Sequence, residues 1–203
     1  MLDDARLNEA LELLGALLTE RNQPFEVLAV GGGALLLLGV SSRTTADLDV
    51  VARRRGQRWT RARPLPPSLV QAVDDVAMAL KLEATDKPWL NDGPWRIFEM
   101  GLPEGWESRT TTKRFGALLV RLLGREDSIK LKLFAATNPH APERRERDVS
   151  DLRQLAPTRE ALLDGLRWCE ATDGTADFLT SPAVVDVLRE LGVSIDGKDI
   201  GHD

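Results

Sequence analysis

Phe25 to Val30 reads as a strand and runs straight into Gly31-Gly32-Gly33. Three consecutive glycines after a strand leave a stretch of backbone with no Cβ atoms, and the chain turns tightly there. Ala34 to Gly39 follows; it is apolar all round and too short for a surface helix, so it reads as a buried helix of about two turns. A polar connection, Ser41 to Thr45, leads to a second strand over Asp47 to Ala52. Strand, glycine turn, buried helix and strand commit the front of the chain to a mixed α/β layer.

The remaining pattern is read in the same way. Leu7, Leu11, Leu14, Leu17 and Leu18 fall at helical spacing within residues 3–21, and Arg21-Asn22-Gln23-Pro24 stops that helix. Arg53 to Pro67 reads as a basic, Pro-ended loop. Ser68 is the expected cap of a helix through Leu82, with Val70, Val73, Ala77 and Leu80 on one face. Trp95 to Met100 and a stretch within Thr110 to Leu123 look extended, with Gly101, Gly105 and Gly116 as breaks. Glu126-Asp127-Ser128 opens a helix carrying Ile129, Leu131, Leu133 and Phe134; a charged helix follows from Glu143 to Leu155, then two more at 158–171 and 182–191. The expected division is an α/β core over 1–125 and a helical region over 126–203 that packs on it and completes the site.

Composition excludes several chemistries. Cys169 is the single cysteine, so an internal disulfide and a Cys-rich zinc site are out. His140 and His202 are the two histidines, the second in a polar tail, which argues against a two-histidine metal motif or a Ser–His–Asp triad. There is no tyrosine, so carboxylates, lysines, arginines or hydroxyls must run any polar chemistry. The longest apolar run, Ala34 to Val40, is far short of the ~20 residues that span a bilayer, and Met1-Leu2-Asp3-Asp4 is acidic where a signal peptide is basic. The expectation is a cytoplasmic protein with no membrane partner. The net charge of −5 does not announce nucleic acid, but Arg53, Arg54, Arg55, Arg58, Arg61 and Arg63 lie in one stretch without an acid. That stretch reads either as a solvated loop or as a grip on a phosphate backbone through Arg54, Arg55 and Arg58, with Trp59 stacking on an unpaired base. Trp89, Trp95, Trp106 and Trp168 are expected in the core, as is Cys169.

Asp47 and Asp49 stand two apart on a strand, so both side chains leave one face while Leu48 and Val50 leave the other. Carboxylates that close repel each other unless a cation lies between them, and Mg²⁺ typically takes one or two carboxylates plus substrate phosphates. Gly31, Gly32 and Gly33 let backbone approach a triphosphate closely. These are the parts of a nucleotidyl-transfer site, with Mg²⁺ as cofactor and a nucleoside triphosphate as substrate. A dinucleotide-binding turn does not fit, because Leu36 stands where its third glycine belongs.

The run Val30, Gly31, Gly32, Ala34, Leu35, then Arg43, Thr45, Asp47, Leu48, Asp49 and Val50 resembles the signature of the nucleotidyltransferase superfamily, specifically its AbiEii-like toxin branch. Lys132-Leu133-Phe134-Ala135 and Arg147-Asp148-Val149-Ser150-Asp151-Leu152 resemble that branch's two later motifs, in the same order. The resemblance implies a nucleotidyltransferase fold, a small mixed sheet flanked by helices with a C-terminal helical bundle. It implies transfer of a nucleoside monophosphate from an NTP to an acceptor, RNA or tRNA, by the toxin-like partner of a cognate antitoxin.

Under that resemblance Asp47 and Asp49 hold the metal, Gly31, Gly32, Gly33, Arg43 and Thr45 lie at the nucleotide, and Lys132 contacts the triphosphate. Asp148 orients Lys132 or the nucleotide, with Asp151 and Arg147 as further candidates. The plainer reading of Asp148 and Asp151, three apart on one helical face, is an ion pair with Arg147 or Arg144. Lys130 lies on another face. No strand acid completes a third carboxylate; Glu99 and Glu107 are the nearest candidates. Two alternatives therefore stand: a nucleotide-binding protein of the same fold without turnover, and a transferase whose acceptor is a protein or small molecule.

Overall fold

Helix α1 (Asp4–Glu20) starts where the Asp3 carboxylate accepts from the Arg6 amide, and it buries Leu7, Leu11, Leu14 and Leu18 along one stripe. In this computed structural model, which describes residues 1–83, 87–175 and 177–193, the chain divides into two compact units, Met1–Gly124 and Arg125–Asp203. His202 lies outside the described residues.

The first unit is built on a mixed sheet. Strand β1 (Phe25–Val30) passes into α2 (Gly31–Leu37), so the glycines are the helix's own first turn rather than a loop before it. Strand β2 (Leu48–Arg55) pairs antiparallel with β1, and β3 (Arg58–Arg61) folds back on β2. The stretch read as a basic loop is therefore mostly a hairpin turning at Gly56, whose φ of +59° suits glycine. Helix α3 (Pro67–Ala79) begins at Pro66 without a side-chain cap, so Ser68 lies inside the helix; its buried residues are Leu69, Ala72, Val73 and Val76, while Val70 is exposed. A two-residue strand β4 (Leu90–Asn91) runs parallel to β2 at Leu48 and Asp49. Trp95 to Met100 is not extended: residues Arg96–Met100 form the short helix α4, and Trp106–Arg109 is a 3-10 turn. Strands β5 (Thr111–Phe115) and β6 (Leu118–Leu122) complete the order β3-β2-β1-β6-β5, with β1 and β6 parallel.

Register decides which residues share a face. Leu28 opposes Ala52 but Val30 opposes Asp49, so β2 carries one extra residue, a bulge at Val51. Val27, Ala29, Leu48, Val50 and Val120 belong to the main core with α1 and α3. Val30, Asp49, Ala52 and Arg54 lie on the opposite face of the sheet.

The second unit is helical. Helix α5 (Arg125–Ala136) packs on α6 (Pro142–Leu155) and α7 (Arg159–Asp173), and α8 (Pro182–Glu190) closes the described chain. Ile129, Leu133, Val149, Leu152, Leu166 and Cys169 are buried there. No helix among the described residues is long and apolar enough to cross a membrane.

Candidate active site

The glycine turn and the approach to the aspartate strand meet closely in the first unit, most tightly at Gly33. A Cβ on Gly33 would sit 2.7 Å from the Asp47 carbonyl oxygen and 3.2 Å from Leu48 Cα, both backbone atoms. On Gly32 it would reach 3.0 Å from Arg43 Nη2 and 3.5 Å from Thr45 Oγ1; on Gly31 it would lie 3.2 Å from Asp49 Oδ2, at a φ of +77° that already demands glycine. Gly31, Gly32, Gly33, Arg43, Thr45, Asp47 and Asp49 are thus one cluster. Within it the Thr45 hydroxyl donates to the Asp47 carbonyl at 3.0 Å, which fixes the approach to β2. Asp47 itself lies just ahead of the strand, which starts at Leu48.

Asn91 is not among the residues that sequence reasoning singles out. Its Nδ2 donates to Asp47 Oδ2 at 3.0 Å, and its backbone is in register with Asp49 on β4. A two-residue strand has no periodicity to betray it. The two carboxylates and the amide lie together, yet no group of three or more His, Cys, Asp or Glu side chains among the described residues is placed to hold a metal. Glu99 and Glu107 are engaged elsewhere: Glu99 with Arg61 at 2.7 Å, Glu107 with Arg54 at 3.3 Å and with the Trp59 indole N–H at 3.1 Å.

Those pairs order the arginine hairpin. Arg54 lies over the Trp59 ring, 5.3 Å from its centroid, and Trp59 meets Trp106 edge-on at 5.5 Å. With Thr110 and Arg121 these residues line a cavity of about 150 Å³. Arg55 and Arg58 flank the turn and are exposed. Of the tryptophans expected in the core, Trp89 is buried; Trp95, Trp106 and Trp168 are half-buried, Trp95 beneath Arg61 and Arg96, Trp168 against Phe134. Cys169 is buried, and desolvation pushes its thiol pKa far up.

In the second unit, Lys132 Nζ sits 2.7 Å from Asp148 Oδ1 and 2.6 Å from Asp151 Oδ2. The partner of the two acids is therefore Lys132, from the neighbouring helix, and not Arg144 or Arg147: Arg144 faces Glu143, and Arg147 is exposed. The three side chains are 12%, 11% and 0% exposed for lysine, Asp148 and Asp151. Lys130 points elsewhere, to Asp164 at 2.7 Å.

The chain matches no protein-family model and no curated protein. Among solved structures it is similar to the crystal structure of an antigenic nucleotidyltransferase-like protein from Paracoccidioides brasiliensis, with a TM-score of 0.51 and 14% identity over 100% of this chain and 99% of that one. At that identity the likeness is one of fold: a mixed sheet flanked by helices, in a nucleotidyltransferase-like arrangement.

Proposed function

We propose that the protein is a nucleotidyltransferase that moves a nucleoside monophosphate from an NTP to an RNA acceptor, tRNA included, as the toxin-like member of a toxin–antitoxin pair. The observation that carries the reading is the packing of Asp47 and Asp49 against a glycine turn in which Gly33 leaves no room for a Cβ and Gly31 takes a φ of +77°. The toxin branch and the antitoxin rest on the four sequence motifs from Val30 to Leu152.

The donor set fits Mg²⁺. Two carboxylates, one of them oriented by an amide, match a hard cation that takes one or two protein oxygens and completes its shell with phosphates and water. Asp47 and Asp49 would hold it, and when bound it supplies charge neutralisation at the α-phosphate and a lowered pKa for the acceptor hydroxyl. Gly31 and Gly32 leave room for the triphosphate beside Asp49. Arg43, whose guanidinium stands against Gly32, offsets phosphate charge. The assignment of Lys132 to the triphosphate rests on the Lys132–Ala135 motif; within its own unit Asp148 and Asp151 fix its ammonium. Arg54, Arg55 and Arg58 hold the acceptor backbone, with Trp59 as the stacking ring.

A labelled-NTP assay on total RNA with Mg²⁺ tests this. Wild type labels RNA, Asp49→Asn does not, and an Arg54→Ala/Arg55→Ala/Arg58→Ala variant loses RNA labelling and part of the salt slope of RNA binding while NTP affinity stays within about twofold. Label on a protein band with none on RNA refutes the acceptor. A nucleotide-binding protein without turnover is the second reading, favoured by the two-acid donor set; tight NTP binding with no transfer to any acceptor would establish it.

A further inference from the structure

Asn91 is 5% exposed, and both ends of its amide are committed. Its Oδ1 accepts from the Gly93 amide at 2.8 Å. A backbone N–H only donates, so the amide oxygen must face Gly93 and the NH₂ must face Asp47. The seat is tight: a Cβ on Gly93 would lie 2.8 Å from Asn91 Oδ1. With its orientation set from behind, Asn91 donates to Asp47 Oδ2 at 3.0 Å. Strand β4 brings it there, in register with Asp49, so Asp47, Asp49 and Asn91 share one side of the sheet. A carboxylate has the same shape as this amide but accepts where the amide donates. At position 91 it would set three negative charges around one point.

We propose that Asn91 is a positioning residue: it holds Asp47 in the metal-binding pair by one carboxylate oxygen and keeps that pair at two negative charges. The inference rests on the metal site of the proposed function. Its content is that the identity of residue 91, amide or acid, sets the affinity of the site for a divalent cation.

Mn²⁺ binding followed by electron paramagnetic resonance, with Tm measured on the same full-length proteins, tests it without any turnover. Asn91→Ala frees Asp47 and weakens Mn²⁺ binding about tenfold, in the range seen when a ligand's hydrogen-bond partner is lost. Asn91→Asp lowers Tm without metal at neutral pH, through carboxylate repulsion, and binds Mn²⁺ about tenfold more tightly than wild type, so that Mn²⁺ restores Tm. The exchange variant Asp47→Asn/Asn91→Asp rebuilds the donor–acceptor pair with the roles reversed and returns both Tm and Mn²⁺ affinity to within about threefold of wild type. Equal Mn²⁺ affinity in wild type and Asn91→Asp, or a Tm loss that neither Mn²⁺ nor the exchange recovers, overturns the assignment and reduces Asn91 to a prop for β4. Wild type that binds no Mn²⁺ beside an Asn91→Asp variant that binds it refutes the metal-dependent reading of the wild-type protein while supporting the placement of Asn91.

Discussion

Lys132→Met removes the ammonium shared by Asp148 and Asp151 and keeps the stem's volume. At 2.7 and 2.6 Å, and an effective dielectric near 20, each attraction is about 6 kcal/mol before desolvation is counted. Most of that offsets the cost of burying three charges. Removing one partner leaves the two carboxylates facing each other without their cation, and a broken buried pair costs about 3–5 kcal/mol. Lys130 is the internal control, two residues away on the same helix. Its partner Asp164 is 59% exposed, so Lys130→Met should cost no more than about 1 kcal/mol. Urea unfolding with hydrogen exchange read on α5 and α6 measures both. Adding Asp148→Asn and Asp151→Asn to Lys132→Met should recover most of the loss, because the repulsion goes with the charges. If the two lysine variants differ by less than about 1 kcal/mol, the triad is not the electrostatic centre of this unit. The consequence for enzymology is direct: loss of transfer in Lys132→Ala says nothing about the triphosphate unless folding is measured beside it.

Gly33→Ala and Gly39→Ala separate packing from backbone strain. Ala gains about 1 kcal/mol over Gly inside a helix, but a Cβ against the Asp47 carbonyl costs about 1–3 kcal/mol of overpacking and displaces Asp47. Gly39, at a φ of +70° with nothing within 4 Å, should lose about 1 kcal/mol through strain alone. Gly33→Ala should therefore lose NTP affinity as well as stability, and Gly39→Ala stability alone; calorimetry with NTP and Mg²⁺ checks the split. Cys169 should resist Ellman's reagent in the native protein and react fully in guanidinium. Its thiol pKa is raised on folding, so the native state holds its proton where the unfolded chain has lost it. Stability should thus fall as pH rises above about 8.5, by up to about 1.4 kcal/mol per unit. That slope should be absent in Cys169→Ala.

The parts legible in the sequence are those with a period. The leucine stripe of α1, the apolar run of β1 and the Asp47–Asp49 alternation each repeat often enough to declare their geometry. Asp148 and Asp151, three apart, showed that they share a face; their partner could not be read, because Lys132 comes from another helix. The arginine hairpin failed for a different reason. Its strand residues are charged on both faces, so the alternation that marks a half-buried strand is missing, and the acids that stabilise it lie 38 to 53 residues away. Arg96–Met100 makes less than two turns, too short for a helical period to emerge.

The bulge at Val51 ties the two halves of the proposed function together. Strict alternation along β2 puts Asp49 and Arg54, five residues apart, on opposite faces, and a phosphate backbone held by Arg54 would then run behind the sheet. The extra residue resets the alternation. Val30 opposes Asp49 and Leu28 opposes Ala52 on the same side, and Arg54, two further on, joins them with its partner Trp59. The aspartates and the arginine–tryptophan cluster therefore share one face, separated by ~16 Å of strand at about 3.3 Å per residue. Val50 meanwhile keeps its place in the core on the other side. One residue of slack in a buried strand lets the same β2 serve the core through Leu48 and Val50 on one face and present Asp49 and Arg54, the proposed metal ligand and acceptor contact, on the other; a regular strand of this sequence with Val50 in the core would carry Arg54 onto that same core face.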